Sequence, residues 1–193
     1  MAATSIPWAE PARWTADDLL TLPDDGWRYE LVQGRLVRLA PASWQQGHAS
    51  SRLQRALDRF VEAHDLGEIA PAETGFDLTR PGEPEETVLA ADIAFVRAER
   101  VPHPDEDGFA RLAPDLGVEI ASKGQHRPAM SAKARLWLER GVQLVWIVWP
   151  RRRSIDVWLP GNEAPEITLS AGDILEGGDV LPGFAYPVDE IFR

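Results

Sequence analysis

The sequence predicts an α/β protein with a central mixed β-sheet flanked by helices, an N-terminal hairpin and C-terminal strands. Between Gly47 and His64 the apolar residues recur at spacings of three and four, as in an amphipathic helix. The run from Val142 to Trp149 is apolar on both faces, which is typical of a strand inside a covered sheet. With 193 residues, 44% of them hydrophobic, we expect one domain over residues 1–193.

A short helix and a hairpin precede the long helix. Thr15, followed three residues later by Asp18, predicts a capped helix between residues 14 and 22. Alternating segments on either side of Gln33-Gly34 predict a hairpin from Arg28 to Leu39. Neither element suggests catalysis by itself.

The remaining elements alternate between strands and one further helix. Pro128 suits the first turn of that helix, which we expect to end before Gly141. The predicted strands cover residues 68–78, 88–96, 116–122 and 153–159, with short strands after residue 166. This order is typical of a mixed sheet between helices.

The composition excludes several classes of protein. The chain has no cysteine, which rules out disulfides and thiolate metal sites such as a zinc ribbon. No apolar run reaches the roughly 18 residues of a membrane span, and the N-terminus lacks the pattern of a signal peptide, so we expect a cytoplasmic protein without membrane association. Glycine-rich nucleotide loops, the G-x-S-x-G motif and the HExxH motif do not occur.

The charge is unevenly distributed. The net charge of −11 argues against general affinity for nucleic acid. Yet the stretch from Ala121 to Arg153 has eight basic residues and one acid, Glu139, so it carries +7 and the remainder carries −18. This stretch is either a local basic face for an anionic ligand or a solvated helix face followed by an arginine-rich turn.

Two predicted apolar strands carry one carboxylate each, Asp92 and Glu119. Burying an ionised carboxylate is costly unless a metal ion or another cation compensates it. Carboxylate oxygens suit Mg²⁺ or Mn²⁺, and small residues flank both acids. The alternative is that one or both acids pair with arginine at a strand end.

Lys133 is predicted on the inward stripe of the second helix, with Met130, Leu136 and Trp137 at spacings of three and four. The chain has only one other lysine, Lys123. A buried ammonium group can lower its pKa and orient a water molecule. The alternative is a lysine whose stem covers apolar surface while its head reaches solvent.

Seven segments in order resemble one known family: YELVQGRLVRLAPAS, GHASSRLQRAL, LGEIAPAETGFDL, ADIAFV, APDLGVEIAS, KARLWLERGVQLVWIV and DVLPGF. They are similar to the Uma2 family of restriction-endonuclease-like proteins, within the PD-(D/E)XK nuclease superfamily. The resemblance covers residues 14–192, the expected core. It implies a restriction-endonuclease-like fold and hydrolysis of phosphodiester bonds in nucleic acid, DNA being favoured, with Mg²⁺ or Mn²⁺.

The resemblance also assigns roles to residues. Asp92 and Glu119 match the motif acids that hold the metal, and Lys133, fourteen residues after Glu119, matches the catalytic lysine supplied by the following helix. Other candidates near the site are Glu30, His48 and, more weakly, Glu73, while Lys123 and Arg127 are candidates for phosphate contact. Glu30 is alternatively a hairpin ion-pair partner, and His48 a polar residue at a helix start.

Three functions remain open at this point. A metal-dependent endonuclease is the leading hypothesis; the others are a catalytically inactive protein-interaction module and a hydrolase of small phosphate esters. Because two-fold dimers are the commonest oligomers, a homodimer is also considered, with Trp146, Trp149 and Trp158 as residues of either core or interface.

Overall fold

A computed structural model describes residues 13–103, 105 and 107–193; residues 1–12 of the predicted domain lie outside the described residues. The α-helices are α1 (Ala16–Leu20), α2 (Trp44–His64), α3 (Arg127–Glu139) and α4 (Val188–Ile191). The strands are β1 (Arg28–Val32), β2 (Arg35–Leu39), β3 (Gly67–Pro71), β4 (Phe76–Asp77), β5 (Val88–Leu89), β6 (Ile93–Arg97), β7 (Leu116–Ile120), β8 (Leu144–Trp149), β9 (Ser154–Trp158), β10 (Ile167–Leu169), β11 (Ile174–Glu176) and β12 (Ala185–Pro187). A 3₁₀ turn, Ala98–Arg100, follows β6.

A six-stranded mixed sheet forms the centre of the fold, in the order β10-β9-β8-β7-β6-β3. Strands β7 and β8 are parallel and are connected by α3, whereas the other neighbouring pairs are antiparallel. All residues of β7 and β8 are buried, because the sheet is covered on both faces there. The predicted mixed sheet flanked by helices is confirmed.

The N-terminal hairpin belongs to a second sheet, in the order β2-β1-β5-β4. Gln33 and Gly34 both have positive φ, 50° and 70°, as a two-residue hairpin turn of right-handed twist requires. The capping box of Thr15 and Asp18 is also present at the start of α1. Both local predictions are thus confirmed.

The predicted strand over residues 88–96 was wrong in one respect, because it is divided between the two sheets. Strand β5 pairs with β1 and β4, whereas β6 pairs with β3 and β7. In the connection, the Ala90 N–H donates to Glu30 Oε1, and Asp92 Oδ2 accepts from the Ile120 N–H at 2.7 Å. Side-chain carboxylates thus accept from two backbone N–H groups beside this connection, while the N–H of Asp92, one residue before β6, donates to the Val118 carbonyl. The predicted strand over residues 68–78 is likewise divided, into β3 and β4.

The two faces of the central sheet have separate apolar cores, one against α2 and one against α3. In β7, Leu116, Val118 and Ile120 belong to the α2 core. Alternation therefore turns the Glu119 side chain toward α3. Within the described part of the chain, no helix combines the length and apolarity needed to cross a membrane.

Candidate active site

Asp92, Glu119 and Lys133 line one cavity of about 240 Å³ at the carboxyl end of β7, an inner strand of the central sheet. Strand β7 supplies Glu119, the residue before β6 supplies Asp92, and α3 supplies Lys133. The hairpin closes another side of the cavity with Arg28 and Arg38. The three residues of the predicted triad, 41 positions apart from first to last, therefore share one site.

Lys133 lies between two buried carboxylates. Its Nζ atom is 3.0 Å from Oε1 of Glu119 and 3.0 Å from Oε1 of Glu30. Met130 and Trp137, on the same helical stripe, are fully buried, so the lysine stem extends along the inward face of α3. The alternative, in which the head of this lysine reaches solvent, does not hold, because the ammonium group contacts the carboxylates of Glu30 and Glu119.

The Lys133 ammonium group is held in its charged form. Burial acts to lower the pKa of Lys133, but the carboxylates of Glu119 and Glu30 outweigh burial and raise the pKa above its ordinary value. The expectation that this lysine could lower its pKa is therefore wrong. Lys133 serves as a fixed positive charge rather than as a base.

Glu119 has an unusual protonation equilibrium. Burial is the largest cause, and together with the nearby Asp92 and Glu30 carboxylates it raises the pKa of Glu119 to about 7, although the Lys133 ammonium acts in the opposite direction. Oε1 also accepts a 2.8 Å hydrogen bond from Trp137 Nε1. The raised pKa means that this carboxyl group keeps its proton to a higher pH than an ordinary glutamate does.

Asp92 is half-buried and is held by backbone and by an arginine. Besides the Ile120 N–H, it contacts Arg28, whose guanidinium nitrogen is 3.5 Å from Oδ1. The alternative of a strand-end arginine pair is thus realised for Asp92, since Arg28 is the first residue of β1. Glu119, by contrast, pairs with lysine.

The ionisable side chains that these contacts link carry a net negative charge. Three carboxylates (Glu30, Asp92 and Glu119) face two cations (Arg28 and Lys133), which gives a formal charge of −1 in a largely buried cluster. One bound divalent cation would change this charge to +1 and would favour ionised Glu119.

The donor set fits a hydrated Mg²⁺ or Mn²⁺ ion. Both ions accept one or two carboxylates together with several waters. In the described residues, Oε2 of Glu119 accepts no hydrogen bond, and both Asp92 and Glu119 reach the cavity. The described residues form no cluster of three or more acid, histidine or cysteine side chains around one point. These residues therefore do not form a complete coordination shell from protein ligands alone.

Of the supporting candidates, Glu30 joins the site and His48 does not. Glu30 is 3% exposed and lies behind Lys133, so the hairpin contributes directly to the charge cluster. His48 lies in a different cavity, where its Nε2 atom is 2.5 Å from the carbonyl oxygen of Arg193. His48 and Gln46 lie on different sides of α2, and of the two only Gln46 lines the active-site cavity.

Three further candidates lie around the site. Lys123 is exposed in the turn after β7 and lines a neighbouring cavity. Arg127 is 3.3 Å from the buried carboxylate of Asp156. This ion pair holds the Arg127 side chain outside the active-site cavity. Glu73, with φ of 83°, lines a separate cavity that also reaches Asp92.

Three residues of the site, Trp137, Gln46 and Arg28, were not predicted as functional from the sequence. Trp137 was expected only as a core residue, yet its indole N–H orients Glu119. Gln46 Nε2 donates to the Ile120 carbonyl at 2.8 Å and lines the cavity, and Arg28 holds Asp92. A polar atom on an otherwise apolar stripe was the one available signal for Trp137.

The fold and the family comparison place this chain among the restriction-endonuclease-like proteins. The chain belongs to the Uma2 family, described as "Putative restriction endonuclease", whose model matches residues 16–189. A crystal structure of a "putative nuclease belonging to DUF820" from Anabaena variabilis ATCC 29413 has a similar fold: the TM-score is 0.76 at 17% identity, covering 94% of this chain and 98% of that one. No curated protein matches the sequence.

Proposed function

We propose that the protein is a divalent-metal-dependent nuclease that hydrolyses phosphodiester bonds of nucleic acid at this cavity. The observation that carries the proposal is the convergence of Asp92, Glu119 and Lys133 on one cavity, with the lysine Nζ 3.0 Å from the glutamate oxygen. Membership of the Uma2 family supports the same reaction class.

Each residue has a distinct task in this proposal. Asp92 and Glu119 would hold Mg²⁺ or Mn²⁺, which on binding supplies charge stabilisation and a more acidic water. Lys133 presents a permanent ammonium group to a phosphate oxygen or to the attacking water. Glu30 fixes the position of that ammonium group through its 3.0 Å contact, and Trp137 orients Glu119.

Cleavage assays with purified protein test the assignment. We expect single- or double-stranded DNA to be cut with Mg²⁺ or Mn²⁺ and not with EDTA, and we expect Asp92→Asn and Lys133→Met to reduce the rate at least 100-fold, as roughly 3 kcal/mol of lost transition-state stabilisation implies. The matched control is Asp179→Asn, because Asp179 is an exposed acid outside the site cavity. Undiminished cleavage by both site variants, with folding verified by circular dichroism, contradicts the assignment.

The size of the cavity is also compatible with a second substrate class, small phosphate esters. A volume of about 240 Å³ accommodates a small phosphate ester as readily as one nucleotide linkage. Assays with p-nitrophenyl phosphate and bis(p-nitrophenyl) phosphate discriminate, since a nuclease site should prefer the diester. Turnover of the monoester alone would favour the small-ester hydrolase.

A further inference from the structure

Two adjoining cavities next to the active site are rich in cations. The first, of about 400 Å³, has Ser122, Lys123, Gln125, Trp149, Arg151 and Arg152 in its lining. The second, of about 500 Å³, has Trp44, His48, Pro150, Arg151, Arg153 and Arg193 in its lining. We call the side chains of these two cavities the basic surface.

Acidic residues are missing from the lining of both cavities, within the residues that the structure describes. Arg153 and Arg193 do have acidic partners, Asp189 and Glu190. Lys123, Arg151 and Arg152, however, have no ion pair with any described residue. In a chain of net charge −11, three uncompensated cations on one surface favour an anionic ligand.

An exposed tryptophan adjoins these cations. Trp44, the first residue of α2, is 85% exposed, and its ring stacks against His48 with centroids 6.2 Å apart and planes at 24°. Tryptophans usually bury much of their surface, so a ring supported from one side and open on the other resembles a platform for a second flat ring. Trp149 is different: it is 6% exposed and lies beneath Arg152, whose guanidinium carbon is 5.4 Å from the ring centroid.

The basic surface continues from the active-site cavity. Ser122 and Gln125 line both that cavity and the first basic cavity, and Pro150 and Arg151 line both basic cavities. A polyanion that enters the active-site cavity thus has a continuous route past Lys123 and Arg151 to Trp44.

We propose that the basic surface binds a single-stranded segment of nucleic acid, with phosphates on Lys123, Arg151 and Arg152 and a base stacked on Trp44. Stacking on an indole requires an unpaired base, whereas duplex bases are already stacked on each other. This inference rests on the proposed nuclease function and specifies its substrate as a strand with unpaired bases. It also gives the arginine-rich turn after β8 a role in substrate binding.

The test measures binding separately from cleavage. The cleavage-impaired Asp92→Asn protein is titrated, in EDTA, into fluorescein-labelled oligo(dT) and into a duplex of equal length, and anisotropy is followed at several salt concentrations. We expect tighter binding to oligo(dT), and we expect Trp44→Ala, in the Asp92→Asn background, to weaken it roughly 5- to 100-fold. Arg151→Gln with Arg152→Gln should lower the slope of log K against log salt by about 0.7 for each cation removed.

Arg111→Gln is the matched control, since Arg111 is exposed and lies outside both basic cavities. Equal affinity for duplex, unchanged affinity in Trp44→Ala, or no binding at low salt overturns the inference. Wild-type binding of oligo(dT) without cleavage in Mg²⁺ or Mn²⁺ upholds this inference and contradicts the proposed nuclease. Metal-dependent cleavage that is equally fast in Trp44→Ala and in the double arginine variant overturns this inference and leaves the nuclease intact.

Discussion

Replacing Glu119 by glutamine should stabilise the fold while it removes a metal ligand. Glutamine keeps an oxygen that can accept from Trp137 Nε1 and Lys133, and Lys133 keeps Glu30 as its counterion at 3.0 Å. The change removes the one excess negative charge of the cluster. We therefore expect Glu119→Gln to be more stable than the wild type at alkaline pH. The variant would gain stability and lose a metal ligand, which is a trade-off between stability and function.

The magnitude follows from the pKa of Glu119, about 7 in the folded protein against an ordinary 4.5. Between these pH values the folded state binds a proton that the unfolded chain has released, so wild-type stability falls as pH rises from about 4.5 through about 7. At about 1.36 kcal/mol per pH unit, the loss is about 3 kcal/mol. In Glu119→Gln this loss is absent, and for a domain of this size the melting temperature near pH 8 should rise by about 6–12 °C.

Urea unfolding followed by tryptophan fluorescence at about pH 5 and about pH 8 measures the effect, because the chain has eight tryptophans. The wild type and Glu119→Gln should have similar stability at the lower pH and diverge at the higher one. The exposed-site variant Asp179→Asn should follow the wild type throughout. If Glu119→Gln is instead less stable than the wild type near pH 8, attraction between Glu119 and Lys133 outweighs burial and the reasoning is refuted.

Two further predictions concern the same carboxylate. Affinity for Mn²⁺ should increase as pH rises through about 7, because Glu119 must release its proton to bind metal; calorimetry at pH values on either side of 7 that gives equal affinities contradicts this. Trp137→Phe removes the indole hydrogen bond to Glu119 and should reduce the free energy of unfolding by roughly 1–3 kcal/mol. It should also raise the pKa of Glu119 further, since the lost bond favoured the ionised form; urea curves for this variant that superimpose on those of the wild type would speak against that role.

Local elements were predictable because their information lies within short segments. The turn at Gln33-Gly34, the capping box at Thr15 and the apolar periodicity of α2 each depend on residues a few positions apart. The start of α2 differed, at Trp44 rather than Gly47, because Ser43 caps the helix by accepting from the Gln46 N–H.

The division of the segment 88–96 between two sheets was not predictable in the same way. Apolar periodicity reports that a segment is extended, but it does not report which strands pair with it. At the division, the Ala90 N–H donates to Glu30, which lies 60 positions away in the sequence. Such a contact has no local signature.

The sequence by itself predicted the residues that meet in the candidate site: two acids, Asp92 and Glu119, and one lysine on an inward helical stripe. The tertiary structure decided their partners and their proton affinities. Glu30 and Trp137 complete the cluster from distant positions, His48 lies apart from it, and Lys133 stays charged while Glu119 binds its proton up to about pH 7. Proton affinity depends on burial and on the distance to other charges, and only the folded chain specifies both.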